Sequence, residues 1–233
     1  SRSASSATTS RGASSTPSYS GYLVIANSAL NTLVLHDSTG AYVKLLKDYN
    51  NPLEVPYGIA SQANGDLLVV VDGLDRVDSL NVHTGVTSGL ILNANLTAAT
   101  LQGIATDNNG DIYVVESNIN TIEKFNALGI RTSNPFISTT VGACVLNVPR
   151  HIARLGNGNL AVTNTGNDRL NIYNSLGGCV ATVSGAPFGS NDPYAVAYDA
   201  VHNKIIVAFN TNSAIVALNV DGTGASQIYL NTA

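Results

Sequence analysis

Four residues with strong recognition chemistry, Tyr57, Gln102, Arg150 and Tyr194, follow one another at steps of 45, 48 and 44 residues. A second series, Asn27, Asp72, Glu116, Asn164 and Asn210, runs beside it with nearly the same spacing. Gathered in one place, the two series offer aromatic faces, one fork-shaped cation, two carboxylates and several amides. Such a set suits a carbohydrate, a short peptide or a partner protein, and its oxygens suit a hydrated Ca²⁺. No other cofactor is expected.

Catalytic chemistry is harder to assemble from this chain. The four histidines, His36, His83, His151 and His202, fall at inequivalent places in the repeat and do not converge on a metal, and neither C-x-x-C nor paired-histidine spacing occurs. No G-x-S-x-G elbow singles out a nucleophile among the many serines. No catalytic or metal-ligating residue is therefore assigned, and His151 reads as a strand histidine whose hydrogen bonds are satisfied within the fold.

The spacing itself points to the elements that must carry these residues. Gly58-Ile59-Ala60, Gly103-Ile104-Ala105, His151-Ile152-Ala153 and Ala195-Val196-Ala197 recur with the same period. Each is followed, after a polar turn, by a second apolar run: Leu67 to Val71, Ile112 to Val115, Leu160 to Val162 and Ile205 to Val207. Third runs alternate apolar and polar residues, as in Leu170-Asn171-Ile172-Tyr173, which is strand grammar. A glycine closes each unit, at Gly40, Gly85, Gly129, Gly177 and Gly222, and a fourth short strand follows. Asn64-Gly65, Asn109-Gly110 and Asn157-Gly158 mark the hairpins between first and second strands.

Four antiparallel strands per unit of about 45 residues describe a blade of a β-propeller, a small sheet that buries its faces only against its neighbours. The chain therefore reads as all-β, with a propeller over residues 21–233 and five visible repeats. The first repeat is incomplete: Gly21-Tyr22-Leu23-Val24-Ile25 matches a second strand, with no convincing first strand before it.

Units such as Gly103-Ile104-Ala105-Thr106-Asp107-Asn108-Asn109-Gly110-Asp111-Ile112-Tyr113-Val114-Val115-Glu116-Ser117, and Asn164-Thr165-Gly166-Asn167-Asp168-Arg169-Leu170-Asn171-Ile172-Tyr173-Asn174, resemble NHL repeats. The resemblance implies a propeller, commonly six-bladed, used mostly as a binding or scaffolding surface. A sixth blade would then be completed by the tail or by a partner.

Composition narrows the partners. Asp, Glu, Lys and Arg make up 11% of the 233 residues, against about 25% in an average soluble domain. The formal charge is −4, and setting aside Arg2 and Arg11 in the acid-free first twenty residues leaves −6 for the body. Nucleic acid is excluded, because phosphate binding needs a basic footprint. No run of about 18 apolar residues spans a bilayer. Low charge and the absence of Met and Trp fit an extracellular or cell-surface setting.

Residues 1–20 are rich in Ser, Thr, Ala and Gly and read either as a flexible tail or as a closing or donor strand. In the second case, strand addition by the tail builds a homo-oligomer. Cys144 and Cys179 are either bonded or two buried small residues. They belong nominally to opposite ends of a blade, so a bond requires the link containing Cys144 to curl back until the Cα atoms lie within about 7 Å. Asn95-Leu96-Thr97 is the N-glycosylation sequon.

Short turns share one face of the propeller, whereas the long interblade links, about Lys47–Tyr57, Asn93–Gln102, Val141–Arg150 and Ser184–Tyr194, share the other with the second-to-third turns. That long-loop face, around the channel mouth, is where Tyr57, Gln102, Arg150, Tyr194, Asp72, Glu116, Asn164 and Asn210 are expected to bind a ligand. The sequence thus reads as a non-enzymatic binding or scaffolding module. Its alternatives are a self-assembling structural protein and a metal-dependent propeller lyase or hydrolase.

Overall fold

The computed structural model describes residues 22–51, 54–91 and 100–230. The tail, residues 1–20, and the sequon at Asn95 lie outside the described residues. The alternating runs form strands throughout, and the only helical element described is a single 3-10 turn at Thr165–Asn167. Blade 1 comprises β1 (Leu23–Asn27), β2 (Thr32–His36) and β3 (Tyr42–Asp48). Blade 2 follows as β4 (Val55–Ser61), β5 (Leu67–Asp72), β6 (Arg76–Leu80) and β7 (Thr87–Ile91). Blade 3 holds β8 (Leu101–Thr106), β9 (Ile112–Glu116), β10 (Thr121–Phe125) and β11 (Arg131–Ile137). A small hairpin, β12 (Thr140–Val141) and β13 (Cys144–Val145), precedes blade 4, which is β14 (Pro149–Arg154), β15 (Leu160–Asn164), β16 (Arg169–Tyr173) and β17 (Cys179–Val183). Blade 5 is β18 (Pro193–Asp199), β19 (Lys204–Phe209), β20 (Ala214–Asn219) and β21 (Ser226–Leu230).

Blades 2 to 5 are four-stranded antiparallel sheets in simple up-and-down order, and blade 1 has three strands among the described residues. The fold is a five-bladed β-propeller. The hairpins between first and second strands use the expected glycines, with φ of 87° at Gly65, 81° at Gly110 and 86° at Gly158. The asparagine before each is not among the positive-φ residues, so only the second residue of the Asn-Gly pair takes the left-handed conformation. A three-residue step (Gly65 N–H to Gln62 O) nested inside a wider one (Gln62 N–H to Asp66 O) then closes the loop.

Because one face of each sheet is apolar toward the next blade, the core of the described residues divides into four clusters, one for each pair of consecutive blades. Leu33, Leu35, Val69 and Val71 join blades 1 and 2; Leu68, Val70, Ile112 and Val114 join blades 2 and 3. Ile122, Ile137, Val162 and Tyr173 join blades 3 and 4; Leu170, Ile172, Val207 and Val216 join blades 4 and 5. None of these clusters joins blade 5 to blade 1. On the opposite face of blade 1, Leu23, Ile25 and Leu45 are exposed.

Cys144 and Cys179 are bonded, with Cα atoms 5.7 Å apart. The link does curl back: the β12–β13 hairpin folds it against blade 4, where Cys144 and Leu146 are buried in the core between blades 3 and 4. Asn171 Nδ2 donates to the Val145 carbonyl at 2.9 Å and holds the hairpin there.

Candidate functional site

The row Tyr57, Gln102, Arg150 and Tyr194 is equivalent in the structure as in the sequence. Each sits in the innermost strand of its blade, where the pairing slips: between Pro56 and Ile59, Leu101 and Ile104, Pro149 and Ile152, and Pro193 and Ala195. In each case two residues of the inner strand face one on its partner, a β-bulge. Bulges re-aim side chains and recur beside functional sites. The prolines Pro56, Pro149 and Pro193 stand at the start of the bulge, where a missing N–H costs no regular ladder bond.

The second series does not share one row. Pro56 pairs with Val71, Leu101 with Glu116, Pro149 with Asn164 and Pro193 with Phe209. Glu116 and Asn164 are therefore the equivalents of Val71 and Phe209, one step earlier than Asp72 and Asn210, and both are fully buried. This corrects the expectation that all of them ring the mouth. Asn164 Oδ1 accepts from Asn147 N–H at 3.3 Å, and its amide donates to Val162 O, so it is a brace inside the wall. Asn27 ends β1, its Oδ1 accepting from Leu30 N–H in the turn that follows. Asp72 is half-buried, and burial lifts its carboxyl above the usual range despite backbone hydrogen bonds from Gly73 and Leu101. Asn210 is exposed, its N–H donating to Asp192 O.

Within the first row, Arg150 and Tyr194 meet. The guanidinium carbon of Arg150 lies 5.5 Å from the centroid of the Tyr194 ring, a cation–π distance. Arg150 Nε is buried and has no hydrogen-bond partner among the described residues. Tyr57 and Tyr194 are 37% and 40% exposed, whereas Gln102 is closed over.

Three residues not singled out by the sequence hold Tyr194 in place. Thr163 Oγ1 accepts from His151 N–H and donates to the Tyr194 carbonyl, both at 3.0 Å. Thr165 Oγ1 donates to Pro193 O, and Asp168 Oδ1 accepts from Asp192 N–H at 2.9 Å. Thr163 carried one signal: in the other blades its register position holds Ala26, Val70, Val115 and Ala208. His151 is satisfied as expected, its Nδ1–H donating to Val196 O at 3.0 Å, and burial depresses its pKa. It thereby bridges the inner strands of blades 4 and 5.

A cavity of 610 Å³ opens on the other face, among the first-to-second turns of blades 2 and 3, lined by residues including Ser61, Gln62, Thr106 and Asp107. Its polar groups are already engaged: Gln62 Nε2 donates to Ser79 Oγ, Thr106 Oγ1 to Ser61 O, and Asp107 accepts from two backbone amides and Tyr113. Size favours this cavity, but unspent hydrogen-bonding capacity favours Arg150, and the second criterion bears more directly on polar recognition. Among the described residues no group of three or more His, Cys, Asp or Glu side chains could hold a metal ion.

The fold and the bulged inner row define the class: a β-propeller with a polar and aromatic row on its innermost strands. No family model matches the sequence, and no curated protein matches it. Solved structures do. Virginiamycin B lyase from Staphylococcus aureus aligns with a TM-score of 0.68 at 14% identity, over 91% of this chain and 67% of that one. A streptogramin B lyase aligns at 0.69 and 17% identity, over 92% and 67%. A chain of the nidogen/laminin complex aligns at 0.72 and 16% identity, over 90% and 75%. This chain thus spans about two thirds of the length of the lyases, and the likeness is one of fold. Among the described residues no helix is long and apolar enough to cross a membrane.

Proposed function

We propose that the protein is a non-enzymatic, extracellular or cell-surface NHL-like propeller that binds a protein, peptide or carbohydrate through the long-loop face around Tyr57, Arg150 and Tyr194. One observation carries this reading: the buried Arg150 Nε–H has no acceptor among the described residues although it lies beside an exposed aromatic ring. A buried donor left unpaired costs about 1–3 kcal/mol, and an acceptor brought by a ligand recovers it. The disulfide and the likeness to a chain of the nidogen/laminin complex support an extracellular binding role. Screening peptide and glycan arrays, then titrating the hits against Arg150→Ala and Tyr194→Ala, tests it. Both variants are expected to weaken binding about tenfold or more while unfolding as the parent does. Unchanged binding of every ligand identified removes the site.

The likeness to two lyases favours a second reading, that the protein is a lyase. Turnover of virginiamycin B by the protein, with or without added Ca²⁺ or Zn²⁺, would replace the binding reading. In the self-assembly reading, deleting residues 1–20 abolishes oligomers seen by light scattering.

A further inference from the structure

We infer that the free edge of β1 is a second binding site, which takes an extended segment of a partner polypeptide carrying the pattern Pro-Xaa-Gly/Ala-Ile/Val-Ala. In blades 2 to 5 the second strand is flanked by an inner strand: β5 by β4, β9 by β8, β15 by β14 and β19 by β18. In blade 1 the equivalent strand, β1, is the edge of its sheet among the described residues. Its outward N–H and C=O groups are a template for strand addition.

An independent observation lies on the neighbouring blade. Ile104, Ile152 and Val196, each turned toward the preceding blade, are 2%, 1% and 3% exposed. Ile59 is their equivalent, yet it is only half-buried at the interface with blade 1. What covers the other three is the inner strand of the preceding blade, and among the described residues blade 1 has no such strand. The slot therefore has two walls, the edge of β1 and the blade-1 side of β4.

Four occupied copies of this slot specify the occupant. They hold Pro56-Tyr57-Gly58-Ile59-Ala60, Leu101-Gln102-Gly103-Ile104-Ala105, Pro149-Arg150-His151-Ile152-Ala153 and Pro193-Tyr194-Ala195-Val196-Ala197. The third position is small in three of the four because the next inner strand comes close: a Cβ on Gly103 would lie 2.9 Å from Arg150 O. The fourth must be β-branched and apolar, and by register it falls beside Ile25, which is exposed. The fifth is Ala in all four. Residues 1–21 contain no Ile, Val, Leu or Phe, and residues 231–233 are Asn-Thr-Ala. Neither segment supplies the fourth position, so neither matches the pattern that the slot selects.

The test uses the full chain with a synthetic peptide of the sequence of residues 55–61, a scrambled peptide, and a peptide in which Ile59→Asp replaces the key residue. Hydrogen exchange of Leu23–Asn27 and fluorescence polarisation of the labelled peptides are the readouts. The expected result is that the first peptide binds and slows exchange across Leu23–Asn27, and that Ile59→Asp weakens it about tenfold or more. Equal protection by the scrambled peptide, or none by any, overturns the proposal. So does protection already complete without peptide, whether it is lost on deleting residues 1–20 or lost on dilution to a monomer.

Discussion

Glu123 is a carboxylate enclosed between blades 2 and 3, and its ionisation should set how stability varies with pH. It is 1% exposed. Arg131 Nε stands 3.6 Å from Glu123 Oε2, too far for a strong hydrogen bond. Burial raises the pKa from an ordinary 4.5 to about 7; Arg131 opposes the rise and Glu116 adds to it. The folded protein therefore keeps this proton where the unfolded chain has lost it. The stability so gained is fully present below about pH 4.5 and is lost as pH rises through about 7. At ~1.4 kcal/mol per pH unit, the gap amounts to at most about 3 kcal/mol. Burial acts on His151 with the opposite sense: its pKa is depressed from 6.5, so its contribution is present above that value and lost as pH falls. Urea unfolding followed by far-UV circular dichroism between pH 5 and 8.5 measures the sum. Glu123→Gln is expected to match the parent at pH 5 and to exceed it at pH 8.5, by up to about 3 kcal/mol. A parent and a variant that change identically with pH would refute the assignment of the proton to Glu123.

Two further outcomes follow from the packing. Gly103→Ala would place a methyl group 2.7 Å from His151 Cα and 2.9 Å from both Arg150 O and Ile152 N, all backbone atoms of the next blade. It should cost about 1–3 kcal/mol, read as a lower urea midpoint, because none of these atoms is the movable end of a side chain. Replacing both cysteines by Ser opens a loop with a sequence separation of 35 residues. Chain entropy then predicts a loss approaching 4 kcal/mol, and reductant should lower the parent's melting temperature but leave the variant's unchanged.

The blade pattern was legible in the sequence because every blade repeats one burial problem, and the recurring Gly-Ile-Ala segments mark the strand that solves it closest to the axis. Tyr57, Gln102, Arg150 and Tyr194 were legible for the same reason, being counted from those segments. Glu116 and Asn164 were misplaced because strand ends were matched by residue type, and a one-residue change of phase moves a side chain from the mouth to the wall. The β12–β13 hairpin has two residues per strand, too few to show any alternation, so the return of Cys144 to blade 4 was invisible. Thr163 and Asp168 act through single hydrogen bonds to the following blade, and nothing in a strand or turn pattern distinguishes such a residue from an ordinary Thr or Asp.

The four core clusters have a mechanical consequence. Each joins only consecutive blades, so cohesion passes along the chain from neighbour to neighbour, as in a row of stacked units. Among the described residues these clusters grip the middle blades from both sides and the outer two from one. Denaturant should fray such an assembly from its ends inward, with blade 1 releasing its amides early and the disulfide-clasped region around blades 3 and 4 surviving last.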